Sequence, residues 1–401
     1  MKEAVIVDAV RTPIGRYGGA LKSWRPDDLA AFVISAILKR NQIPVEELAD
    51  VIFGCANQAG EDNRNVGRMA VLLAGLPASV PGVTINRLCG SGLSAVIDAC
   101  RAIETNNGEI FIAGGVESMT RAPLVMLKPE VAYPRGNLNL ADTTLGWRFV
   151  NEKLAKVHHP YSLGETAENV AEKYAISRQE QDEFACESQA KYKRALKAKK
   201  FAQEIVPIPI TGGKKANPEA MLENDEHPRP DTTLADLAKL EPVFRQNGSV
   251  TAGNSSGLND GAAALLIMSK EMASRLGAKP LARFVSSAVT GVDPAYMGMG
   301  PVSATEKALA LAQLPIKAID LVEMNEAFAA QSLACLKELK LNPDIVNVNG
   351  GAIALGHPIG CSGARILTTL VHEMERLGAR LGLATMCIGV GQGIATVVSR
   401  E

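Results

Sequence analysis

Charge of one sign is missing from this sequence. Its 42 Lys and Arg stand against 43 Asp and Glu, leaving a formal charge of −1. There is thus no electrostatic ground for a nucleic acid or an anionic membrane as partner. Paired cysteine spacing is missing too. Seven Cys at 55, 89, 100, 186, 335, 361 and 387 make neither a disulfide framework nor CxxC zinc knuckles, a pattern that fits reduced thiols in a cytosolic enzyme. No GxxxxGK[ST] occurs. Gly389-x-Gly391-x-Gly393 has the wrong spacing for a dinucleotide fingerprint and leaves no room for the downstream ribose acid. His158-His159 and His372-Glu373 lack metal-ligand spacing. No metal and no permanently bound redox cofactor is expected. The first ten residues run straight into strand-like sequence without an apolar signal core or an Arg/Ser-rich transit pattern, and Ser399-Arg400-Glu401 is not a peroxisomal tripeptide. The expected compartment is the cytoplasm.

What is present is an ordinary globular composition, 47% apolar and 21% charged, in a chain of 401 residues. That length exceeds what one core supports, so two or three folded units are expected. Strand-like runs at 5–10, 50–53, 83–85 and 110–115 alternate with helical patterns at 27–39, 65–74 and after Cys89, which predicts an α/β unit with a largely parallel sheet. From about Met119 to Ser249 the texture turns to Pro, Asn and charged residues, as in Gly212–Pro218, and reads as an inserted loop domain able to line a ligand site. The basic run from Lys191 to Lys200 is expected to be a solvated helix face. The α/β texture then returns with an internal repeat. Ile43-Pro44-Val45 resembles Leu314-Pro315-Ile316, and Cys89-Gly90-Ser91-Gly92 meets Gly360-Cys361-Ser362-Gly363, both at an offset of 271. Two similar halves would bring corresponding turns together at their interface. The expected units are 1–118 with 250–272, the insertion 119–249, and 273–401.

The chain is organised around Val83–Ile97. A β-branched run leads into Cys89, and a helical pattern follows, so Cys89 sits at a strand-to-helix turn where the helix N-terminus favours a thiolate and a lowered pKa. The alternative is one more buried small hydrophobe. Three glycine-rich or apolar clusters carry His357, Asn325 and Cys387. Singly these read equally well as a turn histidine, a helix cap and a core thiol. Together with Cys89 they supply a nucleophile, a base, a second thiol and an amide, with glycine backbones as oxyanion donors. That is a kit for acyl transfer.

Five motifs in order, Asn86–Gly92, Gly114–Met119, Asn325–Phe328, Gly350–Pro358 and Cys387–Gly393, resemble the thiolase family over the whole chain. The resemblance implies a five-layered α-β-α-β-α fold of two similar α/β halves with an inserted loop domain, assembled as a homodimer or homotetramer. It implies reversible thiolytic cleavage of a 3-ketoacyl-CoA to acetyl-CoA and a shortened acyl-CoA, with coenzyme A as co-substrate. By motif match Cys89 is the nucleophile, His357 its base and Cys387 the proton shuttle. Asn325 positions a water that holds a thioester oxygen with His357, and the N–H groups of Cys89 and Gly389 form the other oxyanion hole. For coenzyme A, Ser256 matches the pantetheine-binding serine. Ala327 and Phe328 line the pantetheine tunnel, Phe244 and Ala252 are further substrate- or CoA-binding positions, and Arg229 faces the nucleotide. Asp236 and Ser162-Leu163-Gly164 depart from short-chain biosynthetic members, which carry Ser and His-Met-Gly.

The stretches Gly54–Val66 and Asp142–Asn151 look closest to the 3-oxoadipyl-CoA thiolases of aromatic-acid degradation. A dicarboxylic substrate would need a cation for its distal carboxylate, with Arg148 or Arg64 as candidates; structural ion pairs are the alternative for both. An acetoacetyl-CoA or broad 3-ketoacyl-CoA thiolase, a decarboxylating ketoacyl synthase and a non-catalytic acyl-CoA binder are the rival functions. The synthase family resembles a Cys-His-His arrangement, which this chain lacks.

Overall fold

The computed structural model describes residues 2–57, 60–210 and 220–400. The Gly212–Pro218 loop, and Gln58 and Ala59 of the stretch likened to 3-oxoadipyl-CoA thiolases, lie outside the described residues. Nine principal strands form one sheet: β1 Ala4–Arg11, β2 Leu48–Gly54, β3 Gly82–Ile85, β4 Ile110–Ser118, β5 Asn259–Ser269, β6 Ala282–Gly291, β7 Leu321–Met324, β8 Leu381–Ile388 and β9 Gln392–Ser399. Their order is β7-β8-β9-β6-β1-β5-β4-β2-β3. The two halves repeat one order outward from the centre: first strand, last strand, then the earlier ones. Within the sheet they meet where β1 pairs β6, at Val5 with Arg283 and Ile6 with Ala282.

The sheet is mixed, not largely parallel. β2 is parallel to β3 and β4, and β7 to β8, but β5 runs antiparallel to β4 and β1, and β9 to β8 and β6. The reason is connection type. β8 and β9 are joined by the tight turn at Gly389–Gly391, which only an antiparallel pair accepts. β5 returns only after the long stretch between Ser118 and Asn259, so no short helical crossover fixes its direction.

Alternation along the strands sets the layers. On β4, Ile110, Ile112 and Val116 pack outward against α1 (Pro26–Arg40) and α2 (Val66–Leu73), while Phe111 and Ala113 face inward. On β8, Leu383 faces outward, and Ala384, Met386 and Ile388 face inward. The inward faces share one core with α3 (Ser91–Glu104) and a later helix, Ile359–Leu377. These two helices are the middle layer, and Gly300–Ala312 with Ala329–Leu339 covers the second half. The five layers are α-β-α-β-α.

The repeated glycines explain how close the middle helices come. A Cβ on Gly363 would lie 2.4 Å from the Leu93 nitrogen, and one on Gly92 2.7 Å from the Gly360 oxygen. The sequence read β4 as ending in its glycines. It runs on to Ser118, because Gly114 and Gly115 let the backbones of Ala263 and Gly360 sit where side chains would clash.

Between β4 and β5, helices Leu163–Lys173 and Arg178–Lys197 each begin with a reciprocal cap, Ser162 with Glu165 and Ser177 with Glu180. The basic run from Lys191 to Lys200, on the second helix and the turn after it, is only partly solvated. Lys191 donates to the Val346 carbonyl at 2.8 Å and Lys200 pairs with the buried Glu373 at 2.8 Å.

Candidate active site

Cys89 lies between β3 and α3, after Leu88 in the left-handed region at φ 47°. Side chains brace this strained bend. The Leu88 N–H donates to Asn86 Oδ1 at 2.9 Å, the Arg87 N–H donates to Ser91 Oγ at 2.9 Å, and Ser91 Oγ donates to the Leu88 carbonyl at 2.6 Å. The thiol is buried. Its pKa is pushed up to about 11 by burial, against a smaller lowering by the N–H groups of Gly389 and of Cys89 itself. The expected depression by the helix terminus is overturned: removal of water from the thiolate outweighs the backbone donors.

His357 follows Gly356, whose φ of 105° favours glycine and against which Asn259 packs. Asn259 Oδ1 accepts the His357 N–H at 2.9 Å. Ser362 Oγ gives its hydrogen to the Pro358 carbonyl at 2.9 Å and lies 2.5 Å from His357 Nδ1. With that hydroxyl turned to Pro358 it accepts from the ring, and the Asn325 amide nitrogen, a donor only, faces Nε2; both contacts suit a proton on Nδ1 and an acceptor lone pair on Nε2. Asn325 Nδ2 lies 3.4 Å from that Nε2, and Asn325 Oδ1 is buried without a hydrogen-bond partner in the protein. Burial, then the Arg365 charge, lowers the imidazole pKa to about 4. Cys387, on β8, is held well above the usual thiol range by burial and next by the nearby Cys89.

Two cavities meet at Cys89. One, about 350 Å³, is lined by Phe244, Ser256, Ala327, Phe328, His357 and Cys387. The other, about 170 Å³, carries Asn57, Thr143, Arg148, His159, Tyr161 and Gly389. Both share an apolar wall of Met119, Leu163, Met297 and Ile359. Phe244 meets Phe328 edge-on at 6.2 Å, and Gly164 gives Phe244 its room. Ala252 and Arg229 lie apart from Cys89 in a neighbouring cleft with Asp236 and His227, connected through Ser255.

The structure thus brings Cys89, His357, Cys387, Asn325 and Gly389 together, with Ser256, Phe244, Ala327 and Phe328 in one adjoining branch and Arg148 in the other. Arg64 lines none of these cavities. The left-handed turn at Asn63 and Arg64 presents it to solvent. Sequence reasoning missed Ser362, Asn259 and Asn57. Ser362 carried a signal as the repeat's counterpart of Ser91, and Asn57 lay within the stretch Gly54–Val66; Asn259 carried none. Ser162 enters the larger branch as a helix cap, a structural reason for that departure from the His-Met-Gly pattern. Among the described residues no group of three His, Cys, Asp or Glu could hold a metal ion, and no helix is long and apolar enough to cross a membrane.

This arrangement has the components for acyl transfer: a thiol nucleophile, an imidazole with an acceptor nitrogen, a second thiol, and backbone and amide donors, all buried where two cavities meet. Comparison with known proteins agrees. The family models for the thiolase N-terminal and C-terminal domains match residues 4–271 and 278–400. The chain is 55% identical to the 3-oxoadipyl-CoA/3-oxo-5,6-dehydrosuberyl-CoA thiolase of Escherichia coli, covering 100% of both chains. It is 54% identical to the beta-ketoadipyl-CoA thiolase of Pseudomonas aeruginosa, covering 100% of this chain and 99% of that one. Human mitochondrial 3-ketoacyl-CoA thiolase in complex with CoA superimposes with a TM-score of 0.92 at 41% identity, over 100% of this chain and 98% of that one. The chain belongs to the thiolase family of acyltransferases.

Proposed function

We propose that this thiolase cleaves 3-oxoadipyl-CoA with coenzyme A to acetyl-CoA and succinyl-CoA. The observation that carries the substrate assignment is Arg148. It lines the smaller, otherwise mainly apolar branch beside Cys89, and its hydrogen bonds go to neutral groups. Such a cation suits a distal carboxylate. The names of the relatives agree with this choice.

In the proposed reaction His357 Nε2 takes the Cys89 proton as the thiolate adds to the C3 carbonyl. The C2–C3 bond breaks, and its electron pair becomes the enolate of acetyl-CoA. Cys387 protonates C2, while His357 and Asn325 stabilise the thioester oxygen, with Asn325 acting through a water. The N–H groups of Cys89 and Gly389 hold the oxyanion at C3, and preorganised donors of this kind are each worth about 10² to 10³ in rate. The Cys387 thiolate then takes the proton of incoming coenzyme A, whose sulfur attacks succinyl-Cys89. His357 returns its proton to Cys89 as that thioester breaks. Pantetheine occupies the larger branch along Ser256, Phe244, Ala327 and Phe328, and the nucleotide extends towards Ala252 and Arg229. Residues 119–249 act as the cap between halves 1–118 with 250–272 and 273–401.

We assign a cytoplasmic, homodimeric or homotetrameric state. Edge strand β3 supports the assembly: among the described residues it has no partner strand on its outer side, Val83 on it is exposed, and so are Leu72 and Leu73 of α2. Light scattering in solution tests the assembly. For the substrate, kcat/KM is compared for 3-oxoadipyl-CoA and acetoacetyl-CoA. The expected preference is for 3-oxoadipyl-CoA; a strong preference for acetoacetyl-CoA would falsify the assignment and favour an acetyl-CoA acetyltransferase.

A further inference from the structure

Residues from the two stretches whose sequence looked closest to 3-oxoadipyl-CoA thiolases touch each other in the fold. Asn57 follows the turn after β2, and Thr143 and Arg148 belong to the insertion, yet they form one hydrogen-bonded unit in the wall of the smaller branch. Asn57 Nδ2 donates to the Thr143 carbonyl at 3.2 Å and to Thr143 Oγ1 at 3.1 Å. Asn57 Oδ1 accepts from Arg148 Nη2 at 3.1 Å, and the Thr143 carbonyl accepts from the same nitrogen at 3.2 Å. Thr143 is fixed in turn, because its buried hydroxyl donates to the Pro123 carbonyl at 2.6 Å. An exposed arginine has costly rotamer freedom to lose. Here one guanidinium nitrogen is held by two neutral acceptors, which orient the group without cancelling its charge.

The surrounding charges fit an anion at this end. Glu117 also lines the branch, but its carboxylate is engaged by backbone donors: Ala56 at 2.9 Å, Asn57 at 3.2 Å and Gly360 at 2.8 Å. His159 contributes an imidazole to the same wall, in edge contact with Tyr161 at 4.4 Å between centroids. Trp147 Nε1 donates to the Tyr161 carbonyl at 3.1 Å and ties the Arg148 segment to the His159 segment.

We propose that Asn57 is a specificity-determining positioning residue: its side-chain amide aims Arg148 at the terminal carboxylate of a short dicarboxylic acyl chain on Cys89. This rests on the 3-oxoadipyl-CoA assignment and adds to it that a neutral amide, rather than a carboxylate, must orient the arginine. An acid at position 57 would form an ion pair with Arg148 and neutralise the group that the substrate needs.

The test compares kcat and KM for 3-oxoadipyl-CoA and acetoacetyl-CoA in the full chain, its N57D and N57A variants and an R148M variant. For N57D the ratio of kcat/KM values, 3-oxoadipyl over acetoacetyl, is expected to fall at least tenfold, with the loss carried by KM for the dicarboxylic substrate. N57A is expected to lower the ratio less, about threefold to tenfold, since it frees Arg148 without neutralising it. Equal losses on both substrates, or none, in both Asn57 variants overturn the positioning role. If R148M lowers the ratio and the Asn57 variants do not, this inference fails alone; if R148M also leaves the ratio in place, the dicarboxylate assignment fails with it. N57A serves as the reporter should N57D not fold.

Discussion

His357 can act as a base on Cys89 only while its proton sits on Nδ1, and one hydroxyl holds it there. Ser362→Ala removes the acceptor 2.5 Å from Nδ1 and leaves a buried N–H unpaired. An unsatisfied buried donor costs roughly 1–3 kcal/mol. The ring can escape part of that cost by moving its proton to Nε2, which is the wrong tautomer for accepting the thiol proton. During acylation the ring becomes an imidazolium, so the missing bond is then charge-assisted, worth about 1.5–3 kcal/mol. At about 1.36 kcal/mol per tenfold, kcat/KM for thiolysis should fall by roughly 10- to 150-fold. Alkylation of Cys89 by iodoacetamide, followed by mass spectrometry across pH, reads the same base without coenzyme A and should slow in parallel. Ser362→Thr keeps an oxygen able to serve both Pro358 and the ring, and should recover most of the loss. Matched melting curves separate this from a packing defect. If Ser362→Ala stayed within twofold of the parent protein, or Ser362→Thr were as impaired as Ser362→Ala, the tautomer argument would be wrong.

Three further outcomes are expected. Cys387→Ala should slow thiolysis by about 10² to 10⁴, the range for losing a positioned acid, yet still give an acetyl adduct on Cys89 from acetyl-CoA by mass spectrometry; thiolysis within tenfold of the parent would remove Cys387 from its role. Gly115→Ala places a Cβ 2.1 Å from the Gly360 oxygen, and overpacking of backbone on backbone should lower stability by about 3 kcal/mol in urea unfolding. A change below about 0.5 kcal/mol would mean the middle helix yields freely. His227 is held down to about 4, mainly by burial, against an unfolded value of about 6.5. Unfolding therefore takes up a proton there, and the stability it confers is complete above about pH 6.5 and is lost as pH falls towards 4. Relative to the parent, His227→Gln should gain stability between pH 7 and pH 4.5. A constant difference in urea midpoint across that interval would contradict the assignment.

What the sequence made legible was local. Cys89, Asn325, His357 and Cys387 all lie beside backbone signals that a reader can see: a strand giving way to a helix, or glycines where the chain turns left-handed, as at Gly356. The repeat at Gly92 and Gly363 was legible for the same reason, since only small residues let two helix backbones meet. The rest depended on elements far apart in the chain. Cys89 was expected to be acidified by its helix, but residues from both halves bury it, and local dipoles do not report that. Arg148 and Arg64 were equivalent on paper; only the fold brings Asn57 against Arg148, 91 residues away, and leaves Arg64 outside. Antiparallel β5 was hidden because the insertion carries no sign of where the chain re-enters the sheet.

The protonation states follow from one physical condition, a chamber dry enough that isolated charges are penalised. Burial raises both thiols and lowers the imidazole, so the resting trio is neutral. A proton passing from Cys89 to His357 creates two opposite charges together, and each relieves the penalty on the other. The substrate then supplies the oxygens for which the backbone N–H groups wait. A carboxylate in place of Cys387 would carry charge into this chamber permanently or bind a proton of its own, and neither suits a group that must first give a proton to carbon and then take one from sulfur. Glu117 lines the same space; burial raises its carboxyl, and the N–H groups of Ala56, Gly360 and Asn57 oppose that rise. Its carboxylate bridges the acyl-branch wall to the first turn of the helix that follows His357. Specificity and chemistry therefore share an anchor, and a Glu117 substitution should disturb both at once, whereas one at Asn57 should separate them.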